Sequence, residues 1–437
     1  MSPRHLLYRL AVGGVRLALP AVARGRVARG VSARRDAHLR LAAWGAAHRD
    51  RGRPLVWFHA PSVGEGRQAM AVVRALRERV PEMQSAFTYF SPSAEEFARR
   101  APVDVADVLP WDVPDVVAPV LDALAPDLLV FTRTEVWPVL AEGAAARGVR
   151  VAMVAGTVAG DAGRLGSPTR WFLRPTWARM DGVVAVGEAD AERFRTMGVR
   201  PGTLSVAGDP AVDAASERIR SLDPRATHLT ALRDAGAPVV VFGSTWGSDE
   251  EVILPALARL REMGEEFIPV VAPHEPGPET VSRLLAGLSR GGWRATTLSA
   301  VMAADGASRG EAVVVDGVGL LAELYTVAAA AYVGGGFGRS GLHSVIEPAA
   351  AGCPVFFGPI HHRAPAAAEL SACGAGRVVR DSAEMARFLR DLLRSADSRD
   401  FMGEAGRGYI SGHSGAARRC AALLVTLLNE PIIGYPE

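Results

Sequence analysis

Five short stretches of this chain place acidic, imidazole and glycine residues where an apolar run ends, which is where α/β proteins carry their chemistry. The first reads His59-Ala60-Pro61-Ser62-Val63-Gly64-Glu65-Gly66, a glycine turn leading into a helical pattern with Glu65 at its start. A carboxylate there can be a plain partner of the helix dipole, worth roughly a few tenths of a kcal/mol. It can equally be a general base aimed out of the turn, and position alone leaves both readings open. The second reads Thr132-Arg133-Thr134-Glu135-Val136-Trp137-Pro138. Glu135 stands between a buried run and an aromatic, where a charge is normally paired or functional. An Arg133–Glu135 surface pair is the plainer alternative.

The third stretch, Gly243-Ser244-Thr245-Trp246-Gly247-Ser248-Asp249-Glu250, is a small-residue loop before an acidic helix start. Its N–H groups and the hydroxyls of Ser244 and Thr245 make an anion site, while Asp249 and Glu250 also fit plain capping. In the fourth, Pro273-His274-Glu275-Pro276, the proline forbids a zinc-binding HExxH helix. His274 is then a phosphate donor or a cap. The fifth runs from Gly334 to Pro348 and contains Gly336, Gly338 and Gly341 in a GxGxxG pattern. A dinucleotide site also needs an acidic residue closing the next strand, and Val355–Phe357 runs into Gly358-Pro359-Ile360-His361-His362 instead. The expectation is that glycine backbone approaches a phosphate, that His343 and Glu347 lie one helical turn apart, and that Glu347 accepts from ribose hydroxyls. That combination suits a nucleoside monophosphate sugar better than NAD. No DxD motif or metal-ligand cluster appears, so helix dipoles, Arg or His are expected to neutralise a leaving phosphate, with no metal and no cofactor.

These stretches need a scaffold, and the chain supplies a regular one. Short Val- and Phe-rich runs alternate with helical stretches, which implies α/β architecture with parallel sheets. Strands are expected at Leu55–His59, Ala86–Phe90, Leu128–Thr132, Arg150–Ala155, Gly182–Val186 and Leu204–Ala207. Within the helical stretch Gly66–Val80, Ala69, Val72, Val73 and Leu76 form one apolar stripe. After Ser221–Pro238, which has the composition of a linker, the rhythm restarts. Strands follow at Val239–Gly243, Phe267–Ala272, Ala312–Val315, Ala330–Val333, Val355–Phe357 and Gly376–Val379. The expected organisation is a leader over 1–53, doubly wound Rossmann-like domains over 54–221 and 222–415 facing a cleft, and a terminal segment over 416–437. Its helical stretch Ala416–Leu428 is expected to pack back on the first domain.

Composition narrows the function. The chain has 437 residues, a formal net charge of +2 and a 49% hydrophobic content, so it folds as about two domains and is not defined by overall basicity for nucleic acid. It contains no lysine, which rules out a Schiff-base lysine and a P-loop lysine. Three cysteines without a CxxC pair fit a reducing compartment. The small net charge hides a polarised molecule. Residues 1–53 carry twelve Arg against Asp36 and Asp50, a charge of +10, which leaves −8 on the rest. Leu6, Leu10 and Leu17 fall at helical spacing, while Arg9 and Arg16 interrupt any spanning run. A basic amphipathic helix lying on an anionic bilayer is the favoured reading, and a solvated helix packed on the first domain is the alternative.

The order SVGEG (62–66), TEVWP (134–138), GSTWGSDEE (243–251), PHEP (273–276), GLLAELYTVA (319–328), YVGGGF (332–337), GLHSVIEPAAAG (341–352) and GP (358–359) resembles the 3-deoxy-D-manno-octulosonic acid (Kdo) transferases of lipopolysaccharide synthesis. The likeness extends from about residue 54 to 380. It implies a two-domain GT-B glycosyltransferase, inverting and metal-independent, that moves Kdo from CMP-Kdo to a lipid A precursor at the cytoplasmic face of the bacterial inner membrane. By the same resemblance Glu65 falls on the general base and Glu135 on a second carboxylate of the acceptor domain, with Ser62, Gly64 and Arg133 beside them. Ser244, Thr245, His274, Gly335, Gly336, His343 and Glu347 fall on the CMP-Kdo side. The family commonly carries Asn where this chain has Ser344, and also within 154–161 and 361–363. Competing readings are a GT-B enzyme using a different nucleotide sugar on a membrane lipid, a silent membrane-surface scaffold, and an NAD oxidoreductase.

Overall fold

The computed structural model describes residues 3–160, 162–304 and 306–430, with backbone alone at 3–7, 9, 20–22, 26, 164, 167 and 168. The chain divides into two units, residues 1–214 with 415–437, and residues 215–414.

In the first unit the strands are β1 (Leu55–Ala60), β2 (Gln84–Tyr89), β3 (Val105–Val108), β4 (Leu128–Thr132), β5 (Arg150–Gly156), β6 (Gly182–Ala185) and β7 (Leu204–Val206). They form one sheet in the order β3-β2-β1-β4-β5-β6-β7, and every pairing is parallel. Central strands β1, β2 and β4 are buried along their whole length, because helices cover both faces. One apolar cluster, with Val56, Phe58 and Val130, lies on one face, and another, with Trp57, Leu129 and Phe131, on the other. Alternate strand residues therefore feed different cores, as the two-residue period of a strand requires.

In the second unit β8 (Val239–Thr245), β9 (Ile268–Pro273), β10 (Arg294–Thr297), β11 (Glu311–Val314), β12 (Ala328–Val333), β13 (Val355–Phe357) and β14 (Gly376–Val378) form a parallel sheet ordered β10-β11-β9-β8-β12-β13-β14. In both sheets the chain order reverses beside the first strand, between β1 and β4 and between β8 and β12. Doubly wound folds open their binding crevices at such switch points.

Several expectations need correcting. Edge strands β3 and β10 escaped the sequence reading because they are four residues long and only partly buried, Asp107 interrupting one and Arg294 and two threonines making up most of the other, so no apolar run marks them. Ser221–Pro238 is not a plain linker. Thr227–Arg233 is helical and buries Leu229 and Leu232 in the second unit's core.

The described residues of the leader form α1 (Pro3–Val22), α2 (Gly25–Arg34) and α3 (Ala37–His48). They differ in character. Ala37 and Leu41 of α3 are fully buried, and a side chain at Gly45 would meet the Ala123 backbone at 2.7 Å. In α1, Leu10 and Leu17 are 63% and 82% exposed, and Arg16 pairs with Asp115 at 2.7 Å. The side chains of Arg4, Leu6, Arg9 and Arg26 lie outside the described residues, as do residues 431–437. No helix among the described residues is long and apolar enough to cross a membrane. At the other end, helix Ala416–Asn429 packs on α4 (Val63–Arg77), burying Cys420, Ala421 and Leu424 in the first unit's core. Asp213 caps it, accepting from Gly415 N at 2.7 Å and Ala417 N at 2.8 Å.

Candidate active site

In the first unit the turn after β1 leads directly into α4, placing Glu65 in that helix's first turn. The carboxylate is anchored at both oxygens: Ser62 Oγ donates to Oε2, and Arg133 Nη1 donates to Oε1 at 3.0 Å. Burial pushes the Glu65 pKa upward, but the Ser62 hydroxyl and the Arg133 guanidinium outweigh it and hold the group below its ordinary value. Glu65 is therefore an ionised carboxylate at neutral pH, with lone pairs still open to a further donor. Gly64 sits in the same turn with room around it, whereas a Cβ at Gly66 would lie 2.6 Å from the Phe97 ring.

Arg133 reaches Glu65 from the end of β4 with a positive φ of 75°, a conformation that costs a non-glycine residue free energy and needs support. Its N–H donates to Val154 O at 2.9 Å, which anchors that turn. The surface Arg133–Glu135 pair considered from the sequence does not form; Arg133 turns to Glu65. Asp209 lies within electrostatic reach of Arg133 and accepts from Gln68 Nε2 and Ala211 N, both at 2.8 Å. Burial raises its pKa. The sequence reading passed over Asp209, although Gly208-Asp209-Pro210 just after β7 has the composition of a turn at a strand's carboxyl end.

Glu135 faces a different neighbourhood. His59, fully buried, has Nε2 3.9 Å from Glu135 Oε1 and accepts at the same atom from Trp137 Nε1 at 3.1 Å. The imidazole proton therefore sits on Nδ1, 3.1 Å from Thr88 Oγ1, and the ring bears no charge toward Glu135. Trp137 stacks on Phe90, with centroids 5.3 Å apart, and the Arg34 guanidinium lies over the Phe90 ring at 4.0 Å. Burial lowers the Arg34 pKa to about 10, against the pull of Glu135. His59, Arg34 and Asp112 all belong to this shell and none was singled out from the sequence, because nothing local marks them.

In the second unit the loops after β8, β9 and β12 knit together. His274 N donates to Thr245 O at 3.0 Å, and His343 N to Gly334 O at 3.0 Å. Asp249, fully buried, gathers Tyr332 OH and Gly335 N at 2.8 Å and Trp246 N at 2.9 Å. Trp246, His274 and His343 stack, with His274 4.4 Å from the indole and 4.6 Å from the other imidazole. Trp246 Nε1 donates to His343 Nε2 at 3.1 Å, so His343 carries its proton on Nδ1. Burial first, then the neighbouring His274, lowers the His343 pKa to about 4, which leaves it a neutral donor.

Glycines let these loops approach one another. A Cβ at Gly335 (φ 93°) would lie 1.9 Å from Gly341 O, and one at Gly336 2.6 Å from Gly358 N. Ser244 adopts a positive φ of 55° at the end of β8. Thr245 is buried and its hydroxyl donates to Glu250 Oε1 at 3.2 Å, an engagement that the anion-site reading did not foresee. Nor are His343 and Glu347 one helical turn apart. The helix begins only at Ile346, because the backbone bond to Gly334 holds His343 in the loop. Glu347 faces Arg218 at 3.6 Å, and Arg218 also lies near Glu323.

Residues 35–214 match the family profile described as 3-deoxy-D-manno-octulosonic-acid transferase (kdotransferase). Proteins named 3-deoxy-D-manno-octulosonic acid transferase resemble the chain over most of its length. The Bordetella pertussis protein is 29% identical, covering 83% of this chain and 85% of its own; the Chlamydophila psittaci protein is 28% identical, covering 79% of each. Among solved structures, a glycosyltransferase from Rickettsia africae superposes with a TM-score of 0.60 at 11% identity, over 87% of this chain and 100% of that one. A UDP-GlcNAc 2-epimerase from Neisseria meningitidis gives 0.60 at 12% identity, over 86% and 99%. At such identities the structural likeness establishes the fold alone, two Rossmann-like units of the GT-B type.

Proposed function

We propose that the chain, similar over most of its length to 3-deoxy-D-manno-octulosonic acid transferases, transfers Kdo from CMP-Kdo to a lipid A precursor, inverting and without a metal ion. In this reading the amino-terminal domain (54–221) binds the acceptor and the carboxyl-terminal domain (222–415) binds the nucleotide sugar. The observation that carries it is Glu65, an ionised carboxylate held at a sheet's switch point by Ser62 and Arg133.

In the reaction an acceptor hydroxyl attacks the anomeric carbon of Kdo. The new glycosidic C–O bond forms as the bond to the CMP phosphate breaks, and the hydroxyl proton passes to Glu65. A positioned base contributes roughly 10²–10⁴-fold. Arg133 keeps Glu65 ionised between turnovers, and Glu135 orients the acceptor. On the donor side the departing CMP takes the electron pair. The Gly336 N–H in the Gly335–Gly336 turn, whose Gly335 N–H is taken by Asp249, stabilises its phosphate together with Ser244 and the Nδ1–H of neutral His343, with His274 as a further donor. Thr245, its hydroxyl engaged by Glu250, shapes the loop, and Glu347 receives the ribose hydroxyls. The basic leader, with Leu10 and Leu17 of α1 exposed, lies on the anionic inner membrane at its cytoplasmic side, where the lipid acceptor resides.

The test is a mass spectrum of a lipid A precursor incubated with freshly generated CMP-Kdo and the protein, with Glu65→Gln in parallel. Gain of one or more Kdo masses with the unsubstituted protein, and none with the variant, supports donor, acceptor and base together. A folded protein that adds no mass overturns the reading. Ser344 and residues 361–363, where the family commonly has Asn, favour a different nucleotide sugar in that event, and a donor screen decides it.

A further inference from the structure

The amino-terminal helices do more than cover the first unit's surface. Tyr8 of α1 donates its hydroxyl to Asp112 Oδ2 at 2.7 Å. Asp112 is 2% exposed, and its carboxylate also accepts from Val139 N at 3.1 Å and Leu140 N at 2.8 Å. Those N–H groups open helix Pro138–Ala145, whose own N-cap residue, Trp137, supplies no side-chain cap. Asp112 is thus a cap contributed from elsewhere in the chain. The helix it fixes is the continuation of the turn bearing Glu135 and Trp137. From the other side that turn is held by the Trp137–His59 bond and by the Phe90 ring, which Arg34 of α2 covers while donating to Phe90 O at 2.6 Å. Glu135 lies within electrostatic reach of both leader residues, Tyr8 and Arg34.

We propose that Tyr8 and Asp112 are positioning residues for the acceptor-side carboxylate: docking of α1 through Tyr8 completes the cap that sets the Glu135–Trp137 turn. The leader then has an effect on the reaction separate from any membrane attachment. This rests on the reading of Glu135 as an acceptor-binding group. A leader that merely anchors the protein needs no buried hydrogen bond to a helix cap, since apolar area and arginine charge suffice for that. The hydrogen bond to a buried carboxylate is the part that transmits position, because an acid so enclosed has no water to replace a lost donor.

The test uses the full chain with Tyr8→Phe, which removes one oxygen and no charge, and Asp112→Asn as a second variant. Four quantities are measured: KM and kcat for the lipid acceptor, amide hydrogen exchange at Val139 and Leu140, and binding to vesicles of phosphatidylethanolamine and phosphatidylglycerol. For Tyr8→Phe the expected result is an acceptor KM raised roughly 2- to 30-fold, the range of coupling through a packed network. With it come a kcat within twofold, faster exchange at both amides and unchanged vesicle binding. Asp112→Asn shifts the same quantities further. Unchanged exchange with a KM within twofold overturns the proposal, and so does a KM rise that parallels lost vesicle binding. If the unsubstituted protein transfers no Kdo, the functional reading fails, and the exchange arm alone supports or overturns the coupling.

Discussion

The two units carry the same kind of sheet and build their sites from opposite materials. The first unit's site is made of charge. Glu65, Arg133, Glu135, Asp209 and Asp112 cluster at the ends of β1, β4 and neighbouring elements, and burial against hydrogen bonding sets the protonation of Glu65, Asp209 and Asp112. The second unit's site is made of shape. Gly334, Gly335 and Gly336 allow contacts that any side chain would block, and three stacked rings present a neutral His343. The difference follows from what each side would hold. A base must be ionised yet not over-stabilised, so it needs tunable neighbours. A phosphate is already charged and needs backbone N–H groups brought close, which favours glycine over cations.

The sharpest way to break this comparison is Glu65→Gln. It should keep the fold and lower kcat by roughly 10²–10⁴-fold, as removal of a positioned base does; turnover near the original rate would take Glu65 out of the mechanism. Next comes Gly335→Ala. Its Cβ would collide with Gly341 O at 1.9 Å, and the positive φ alone costs roughly 1–3 kcal/mol. A melting transition of the second unit lowered by several degrees, with donor KM raised about tenfold or more, is expected. An unaltered donor KM would show that the glycine loop does not shape the donor side.

A smaller effect is expected from Trp246→Phe, which retains a ring against His274 and leaves the half-buried His343 Nε2 without its donor. Losing a hydrogen bond at a half-buried acceptor costs roughly 0.5–1.5 kcal/mol, so donor KM should rise by about tenfold at most while acceptor KM stays put. A change confined to the acceptor would contradict the division of labour between the units.

The smallest effects are in pH. Arg133→Gln removes one of the groups that hold the Glu65 pKa down, so the acid limb of kcat/KM should move to higher pH. A limb that stays in place would mean Ser62 alone sets the carboxylate. Asp112 supplies the opposite sign. Burial raises its pKa from 3.8 to about 6 despite the Tyr8 and backbone hydrogen bonds, so the folded state binds the proton more tightly than the unfolded one. Its contribution to stability is present below pH 3.8 and is lost as pH rises through about 6. Asp112→Asn should flatten the melting temperature of the first unit across that window, and an unchanged slope would remove Asp112 as its source.

Much of this was legible in the amino-acid order. Among the described residues, twelve of the fourteen strands carry apolar runs that mark them, and Leu128–Thr132 and Val355–Phe357 match to the residue. The loops that bear Glu65, Ser244, His274 and Gly335 announce themselves because a run of Val and Phe stops and glycine or proline follows. Where the reading failed, local signals were weak or misleading. Val105–Val108 and Arg294–Thr297 are edge strands with little to bury. The expected helical pairing of His343 with Glu347 assumed a helix that starts too early, and only the bond from His343 N to Gly334 O decides that it does not.

What the sequence determined by itself was the repeating strand–helix rhythm, the places where chemistry could sit, and the motif order shared with a transferase family, since periodicity and turn composition act within a few residues. Only the tertiary structure decided that Arg133 turns to Glu65 rather than Glu135, that Trp137 and Trp246 fix the protons of His59 and His343, and that Tyr8 meets Asp112 across 104 residues. Those choices depend on distances of about 3 Å between side chains far apart in the chain. They are set by strand order and helix packing, which no local pattern encodes.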